Sequence, residues 1–259
     1  MPYSMLVDVT KCIGCQGCQV SCKNWNDKQA DKTTLGTDFG NPSTMNSNTY
    51  TVVKFDEAVA ADGNHWHFTK AQCMHCKTPA CAGACPSHAL TKTEAGPVVY
   101  HRDRCIGCRY CMLACPFEVP TFDWHKAIPS INKCSFCADR VASGIEPACS
   151  RTCPSGALTF GNTEDVVKLA EQRLAAHPEK YVNYIYGKDE AGGTSWLYIS
   201  DTEFKNLPLD ESVEKAAYDR YGLSVMNKVP GFAIGAAALM AGFFFISGRK
   251  ASAGKDGDK

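Results

Sequence analysis

Sixteen cysteines constrain this 259-residue chain more than anything else in it, because all of them fall into four groups of four. Cys12, Cys15, Cys18 and Cys22 are spaced C-x2-C-x2-C-x3-C, and Cys105, Cys108, Cys111 and Cys115 repeat that spacing with a proline after the last. Cys73, Cys76, Cys81 and Cys85 read C-x2-C-x4-C-x3-C-P, and Cys134, Cys137, Cys149 and Cys153 read C-x2-C-x11-C-x3-C-P. A disulfide framework also needs an even count, but C-x2-C pairs suit a metal better than a second loop. Structural zinc takes two C-x2-C pairs per site and has no use for the third sulfur of a C-x2-C-x2-C run. A thioredoxin-like redox pair needs only one such motif.

The first and third groups carry the run that binds 4Fe–4S clusters in bacterial ferredoxins. A cube of iron and sulfide takes four thiolates. Gly14 and Gly107 let a tight loop aim three of them at one point, and the fourth follows on a short helical turn and points to a neighbouring cluster. Pro86, Pro116 and Pro154 then stop that turn. Sixteen thiolates imply four 4Fe–4S clusters, arranged as an internal repeat of two double-cluster ferredoxin units. Two pairings of the groups are open. In the nested one the second and third groups share a unit, joined by a hairpin of Ala89–Lys92, a turn at Glu94–Pro97 and Val98–Tyr100. The flanks Tyr3–Cys12 and Gly156–Gly161 would then pair as strands and bring the first group to the fourth. In the sequential one the first group joins the second and the third joins the fourth. The intact hairpin spacing favours nesting.

Elsewhere the signals are fewer. Twenty-seven basic residues balance 27 acidic ones, which gives no support for a nucleic-acid partner. The N-terminus shows neither a cleavable export signal nor a twin-arginine pair. Residues 162–180 read as a helix capped at Asn162 or Thr163 and stopped by Pro178, with Val166, Val167, Leu169, Ala170 and Leu174 on its apolar side. The insert between Lys23 and Gln72 reads as loop from its Asn, Thr and Ser content. Val229–Ile246 is an uncharged apolar run of about 27 Å as a helix, close to the ~30 Å hydrocarbon core. Gly231, Gly235, Ala238 and Gly242 would let a second helix approach it. Arg249, Lys250, Lys255 and Lys259 follow the run, which places the C-terminus in the cytoplasm. The seven histidines (65, 67, 75, 88, 101, 125 and 177) read as hydrogen-bonding or surface residues. There is no nucleophile motif, haem attachment site or dinucleotide fingerprint. Lys133 and Arg109 stand beside cysteines, where a positive charge would raise a cluster potential.

Four ferredoxin-like groups in this order, with the x11 expansion in the fourth, resemble the iron–sulfur subunits of the molybdopterin oxidoreductase family. The likeness covers residues 1 to about 160. Nitrate-reductase relatives replace one third-group cysteine by tryptophan; Cys108 and its neighbours are all present here, so the resemblance implies four cubes. It further implies nested ligand sharing. One cluster would take Cys12, Cys15, Cys18 and Cys153, and its neighbour Cys22, Cys134, Cys137 and Cys149. A third would take Cys73, Cys76, Cys81 and Cys115, and the last Cys85, Cys105, Cys108 and Cys111. Residues 181–200 and the terminal apolar helix are most like the formate dehydrogenase and membrane hydrogenase branches.

The expected fold class is α+β: two double-cluster ferredoxin-like units with short hairpins and long loops, then one C-terminal transmembrane helix. Residues 1–160 form the cluster domain, 161–227 an extension packing on other subunits near the membrane, 228–248 the membrane helix and 249–259 a disordered cytoplasmic tail. The implied function is a non-catalytic relay of single electrons, serving anaerobic respiration. Its partners would be a molybdenum or tungsten pterin catalytic subunit, formate dehydrogenase first, and an integral membrane cytochrome b or quinone-reactive subunit in the lipid bilayer. The equivalent subunit of a nickel–iron hydrogenase or of a sulfur-compound reductase is the alternative. A structural metal-binding scaffold without electron flow is the alternative of another class. The implied location is the cytoplasmic membrane, single-pass, with the iron–sulfur domain outside.

Overall fold

The computed structural model of the chain describes residues 2–34, 39–60, 63–124, 130–218 and 228–253. It divides into two compact units, Met1–Asp219 and Arg220–Lys259.

Elements of the first unit follow in chain order: β1 (Tyr3–Asp8), α1 (Gly17–Trp25), β2 (Thr51–Ala60), β3 (Gly63–Gln72), α2 (Ala80–Gly83), β4 (Leu90–Lys92), β5 (Val98–Tyr100) and α3 (Tyr110–Leu113). Then come β6 (Thr121–Phe122), β7 (Ile131–Asn132), α4 (Ala138–Ala142), α5 (Ala148–Arg151), β8 (Leu158–Asn162), α6 (Thr163–Ala176) and β9 (Trp196–Ile199). The sheet that sets the topology has the order β8–β1–β9. β1 runs antiparallel to β8, from Tyr3 opposite Asn162 to Val7 opposite Leu158, and parallel to β9, with Met5 opposite Trp196. The antiparallel pairing puts the end of β1, just before Cys12, beside the start of β8, just after Cys153; Asp8 N–H donates to Ala157 C=O at 2.9 Å there. The two flanks expected to pair do so. β4 and β5 form the expected hairpin, with Leu90 opposite Tyr100.

Two expectations need correction here. The Lys23–Gln72 insert is not all loop: β2 and β3 form a ten-residue antiparallel hairpin, Thr51 opposite Gln72 at its base and Ala60 opposite Gly63 at its tip. Its polar composition averages over a loop and a hairpin, and the averaging hides a β-branched run, Thr51-Val52-Val53, whose side chains are buried. Nor does the compact unit close at residue 160. β1 is buried along nearly its whole length and needs a partner on its second edge, which β9 supplies from the extension. α6 starts after Asn162 as expected and lays Val166, Ala170 and Leu174 against Leu6, Leu197 and Ile199.

A buried carboxylate locks the extension in place. Asp8 has no exposure, and it accepts from Arg173 at 2.9 Å and from the Tyr181 hydroxyl at 3.0 Å. Arg173→Met leaves that charge with one phenol and the Thr10 hydroxyl. A loss of about 2–3 kcal/mol is expected, less than the ~3–5 kcal/mol of a fully buried broken pair because Arg173 is partly exposed. It should appear as earlier loss of near-ultraviolet circular dichroism on heating.

The second unit holds α7 (Val229–Ala253). The helix continues through residues 249–253, which the sequence reading gave to a disordered tail; residues 254–259 lie outside the described ones. Phe232, Ile234, Leu239, Met240, Phe243, Phe244 and Phe245 are all exposed, and a Cβ added at Gly231, Gly235 or Gly242 would meet nothing within 4 Å. Among the described residues no helix is long and apolar enough to cross a membrane, so the membrane helix expected at 228–248 is not borne out there. The side chains of α7 are described through Phe245, a stretch of about 26 Å against a ~30 Å hydrocarbon core.

Candidate cluster-binding site

The first and third cysteine groups adopt one local shape. A single 3-10 turn, Val9–Lys11 or Arg102–Arg104, delivers the chain to Cys12 or Cys105. Gly14 at φ 66° and Gly107 at φ 70° then turn the loop in the left-handed region, where a glycine has no steric cost. At Gly14 the need is double, since a Cβ would lie 2.9 Å from the Phe68 ring. Gln16 and Arg109, also left-handed, start α1 and α3.

The second and fourth groups share a different shape. His75 and Phe136, each the residue before the second cysteine of its C-x2-C pair, sit at φ 48° and 56°. Their rings meet edge to face, centroids 5.2 Å apart. Pro79 and Pro147 start α2 and α5, which carry Cys81 and Cys149. So the chain holds two units of one kind: a loop of the first type faces a loop of the second type in each.

Which loops face one another is visible in the surroundings of the thiols. Cys12 has Cys153 and Cys15 beside it, and Cys22 has Cys149 and Cys137. Cys76 and Cys81 have Cys73 and Cys115, and Cys111 has Cys85, Cys108 and Cys105. The first group therefore meets the fourth and the second meets the third. Cys134 faces Cys73 across the two units, and Cys81 faces Cys111. Among the cysteines of the four groups only Cys15 and Cys108 are exposed.

The donor chemistry fits iron–sulfur clusters. One enclosed cavity is lined by Cys22, Cys134, Cys137 and Cys149 together with Lys70 and Trp196. The Trp196 indole N–H is buried without a hydrogen-bond partner. Donors already surround the sulfurs: Phe136 N–H reaches Cys134 Sγ at 3.3 Å, Ala89 N–H reaches Cys85 Sγ at 3.2 Å, and the Asn26 amide reaches Cys22 Sγ at 3.6 Å. Such bonds tune a cluster. Among the described residues no three donor groups converge tightly enough for a single metal ion; a cube takes its thiolates at four corners, farther apart. Burial pushes the Cys18 and Cys115 thiols up to about 11 and those of Cys22, Cys81 and Cys111 up to about 12. Loading a cluster must displace these protons. Cys85 goes the other way: burial raises it, but the Ser87 hydroxyl and the Ala89 and Leu90 N–H groups outweigh burial and hold it low.

Of the two cations singled out in the sequence, Lys133 is inside, donating to the carbonyls of Val98 and Cys134. Arg109 is outside, its guanidinium 4.3 Å over the Trp124 ring. Three of the histidines are held by hydrogen bonds in the fold: His67 pairs with Asp201 at 3.1 Å, His75 Nδ1 accepts from Val98 N–H at 2.8 Å, and His101 bonds Thr91 at 2.9 Å. His125 lies outside the described residues. Sequence reasoning missed Lys70. It stands among cysteines of the first and fourth groups, where burial lowers its pKa but Cys149, Cys18 and Cys134 as thiolates raise it further, to about 12. Its only signal was a lysine inside a strand-like run three residues before Cys73.

Comparison with known proteins agrees with this donor chemistry. The family described as 4Fe-4S dicluster domain matches residues 11–89 and again residues 64–163. These two matches follow the sequence and overlap on the second group, whereas the fold pairs the groups by nesting. The nitrate-inducible formate dehydrogenase iron-sulfur subunit of Escherichia coli is 36% identical over 217 residues, covering 81% of this chain and 73% of that one. The formate dehydrogenase-O iron-sulfur subunit of the same species is 40% identical over 200 residues, 75% of this chain and 65% of that one. The hydrogenase-2 operon protein HybA of Escherichia coli is 34% identical over 239 residues, 79% and 72%. With its cysteines nested into two double-cluster units, the chain belongs to the family of 4Fe–4S dicluster, ferredoxin-like iron–sulfur subunits that includes those of formate dehydrogenases and HybA.

Proposed function

We propose that the chain relays single electrons through four 4Fe–4S clusters between a molybdenum or tungsten pterin subunit of formate dehydrogenase type and a quinone-reactive membrane subunit. The observation that carries this is the meeting of the first cysteine group with the fourth and of the second with the third, with Cys134 near Cys73 between the two pairs. When bound, the clusters supply one-electron oxidation and reduction. The chain's own contribution is placement. The sets would be Cys12, Cys15, Cys18 and Cys153; Cys22, Cys134, Cys137 and Cys149; Cys73, Cys76, Cys81 and Cys115; and Cys85, Cys105, Cys108 and Cys111. Cys22, Cys73, Cys81, Cys134, Cys137 and Cys149 are buried, whereas Cys15 and Cys108 are exposed and stay open to partners. The likeness to HybA favours a second reading, the equivalent subunit of a hydrogenase.

The test is purification of the native complex from membranes under anaerobic conditions with an affinity tag on this chain. About 16 irons per chain, four for each cluster, bleaching by dithionite and a co-purifying formate:quinone activity are expected. Hydrogen uptake in place of formate oxidation would select the second reading. A colourless, zinc-loaded chain would leave only the scaffold reading.

The terminal helix fits a place in lipid beside another helix, since its large apolar side chains are exposed and its glycines leave one side open. The cluster domain would then face outward and the C-terminus the cytoplasm. A C-terminal reporter active only on the cytoplasmic side supports that orientation, and the opposite result removes it.

A further inference from the structure

Lys70 is only 2% exposed, at the base of the β2–β3 hairpin. Its ammonium donates to Thr51 Oγ1 at 2.6 Å and to Gln72 Oε1 at 3.0 Å, and it stands 4.6 Å from the centre of the Trp196 ring. All three partners are neutral, and among the described residues no carboxylate pairs with it. A buried ammonium without a counter-charge is strongly disfavoured. The groups around it that can supply negative charge are Cys149, Cys18 and Cys134, followed by the Tyr198 phenol. It lines the cavity of Cys22, Cys134, Cys137 and Cys149, and Cys18 of the adjoining set lies close by.

We propose that Lys70 is the fixed counter-cation where the first and fourth cysteine groups meet and raises the reduction potential of the group held by Cys22, Cys134, Cys137 and Cys149. This rests on the reading that these cysteines hold 4Fe–4S clusters. A cube with four thiolates is a net anion, and reduction adds one more negative charge. A cation fixed beside it stabilises the reduced form more than the oxidised form, since net charge is one of the determinants of cluster potential. Lys70 is held by two hydrogen bonds and an aromatic face, so its charge stays in place as the redox state changes. Water is excluded there, so its field is weakly screened.

The test is a potentiometric titration of the native complex, followed by electron paramagnetic resonance, for the wild type and for Lys70→Met, with iron measured in each. Full iron is expected in the variant. The midpoint of one cluster should fall, so that at a potential near its wild-type midpoint the reduced-to-oxidised ratio drops about tenfold, ~59 mV for a one-electron couple. Midpoints unchanged at full iron overturn the inference and leave the proposed function standing. A wild-type complex without cluster iron overturns both. Should Lys70→Met fail to load iron, Gln72→Glu decides: it keeps the lysine, sets a carboxylate against it, and should move the same cluster in the same direction. No shift in that variant overturns the inference as well.

Discussion

Serine in place of Cys153 is expected to abolish the cluster held by the first cysteine group, although Cys153 belongs to the fourth. Iron should fall by about four per chain from about 16, and transfer of electrons through the complex by at least about 100-fold, since loss of a ligand exceeds the 10–100-fold typical of losing a group behind one. Cys15→Ser should remove the same spectroscopic signal. Cys22→Ser and Cys137→Ser should remove a different one, shared between them. The reason is topological: β1 delivers the chain to Cys12 at the end of the sheet from which β8 leaves after Cys153, so Cys12 and Cys153 are neighbours. Double variants within one set should cost no more than either single one, because one cluster can be lost only once. If Cys153→Ser and Cys137→Ser silenced the same signal and left that of Cys15 intact, the nested ligand sharing would be wrong.

Gly187→Ala should prevent accumulation of the folded subunit. Gly187 has φ 90°, and a Cβ there would lie 2.1 Å from the backbone oxygen of Trp196 and 2.8 Å from the Thr194 hydroxyl. Neither can move freely. The carbonyl belongs to β9, hydrogen-bonded to β1, and the Thr194 hydroxyl is bonded to the carbonyls of Gly187 and Trp196. A loss of about 4 kcal/mol or more is expected, among the larger single-residue effects, with soluble, iron-loaded protein as the readout. Gly107→Ala is the contrast. Its φ is also positive, but a Cβ would meet nothing within 4 Å, so only the conformational strain of about 1–2 kcal/mol remains. Equal yields from the two variants would refute the steric account.

The cysteine spacing, read as sequence, carried the chemistry. Three sulfurs at i, i+3 and i+6 around a glycine can converge on one point within a few residues, and that constraint is local. The β4–β5 hairpin was legible for the same reason, since turn residues act on their immediate neighbours; α6 starts after Asn162 as read, although the Asn162 side chain makes no capping hydrogen bond. The β2–β3 hairpin was missed because composition over fifty residues blurs alternation over ten.

What the sequence left open, the fold decided. Whether the fourth group meets the first or the third depends on a strand pairing across more than a hundred residues, for which the local chain holds no instruction. The extension's role is likewise a tertiary matter, since β9 is needed only because β1 has two edges to fill. Lys70 reads as an ordinary strand lysine until the hairpin folds it against Cys18, Cys134 and Cys149. Ligand type and number were thus written in short-range spacing, while the pairing of groups and the charge beside them came from long-range packing, because covalent neighbours fix a loop but only the burial of a shared core fixes which loops meet.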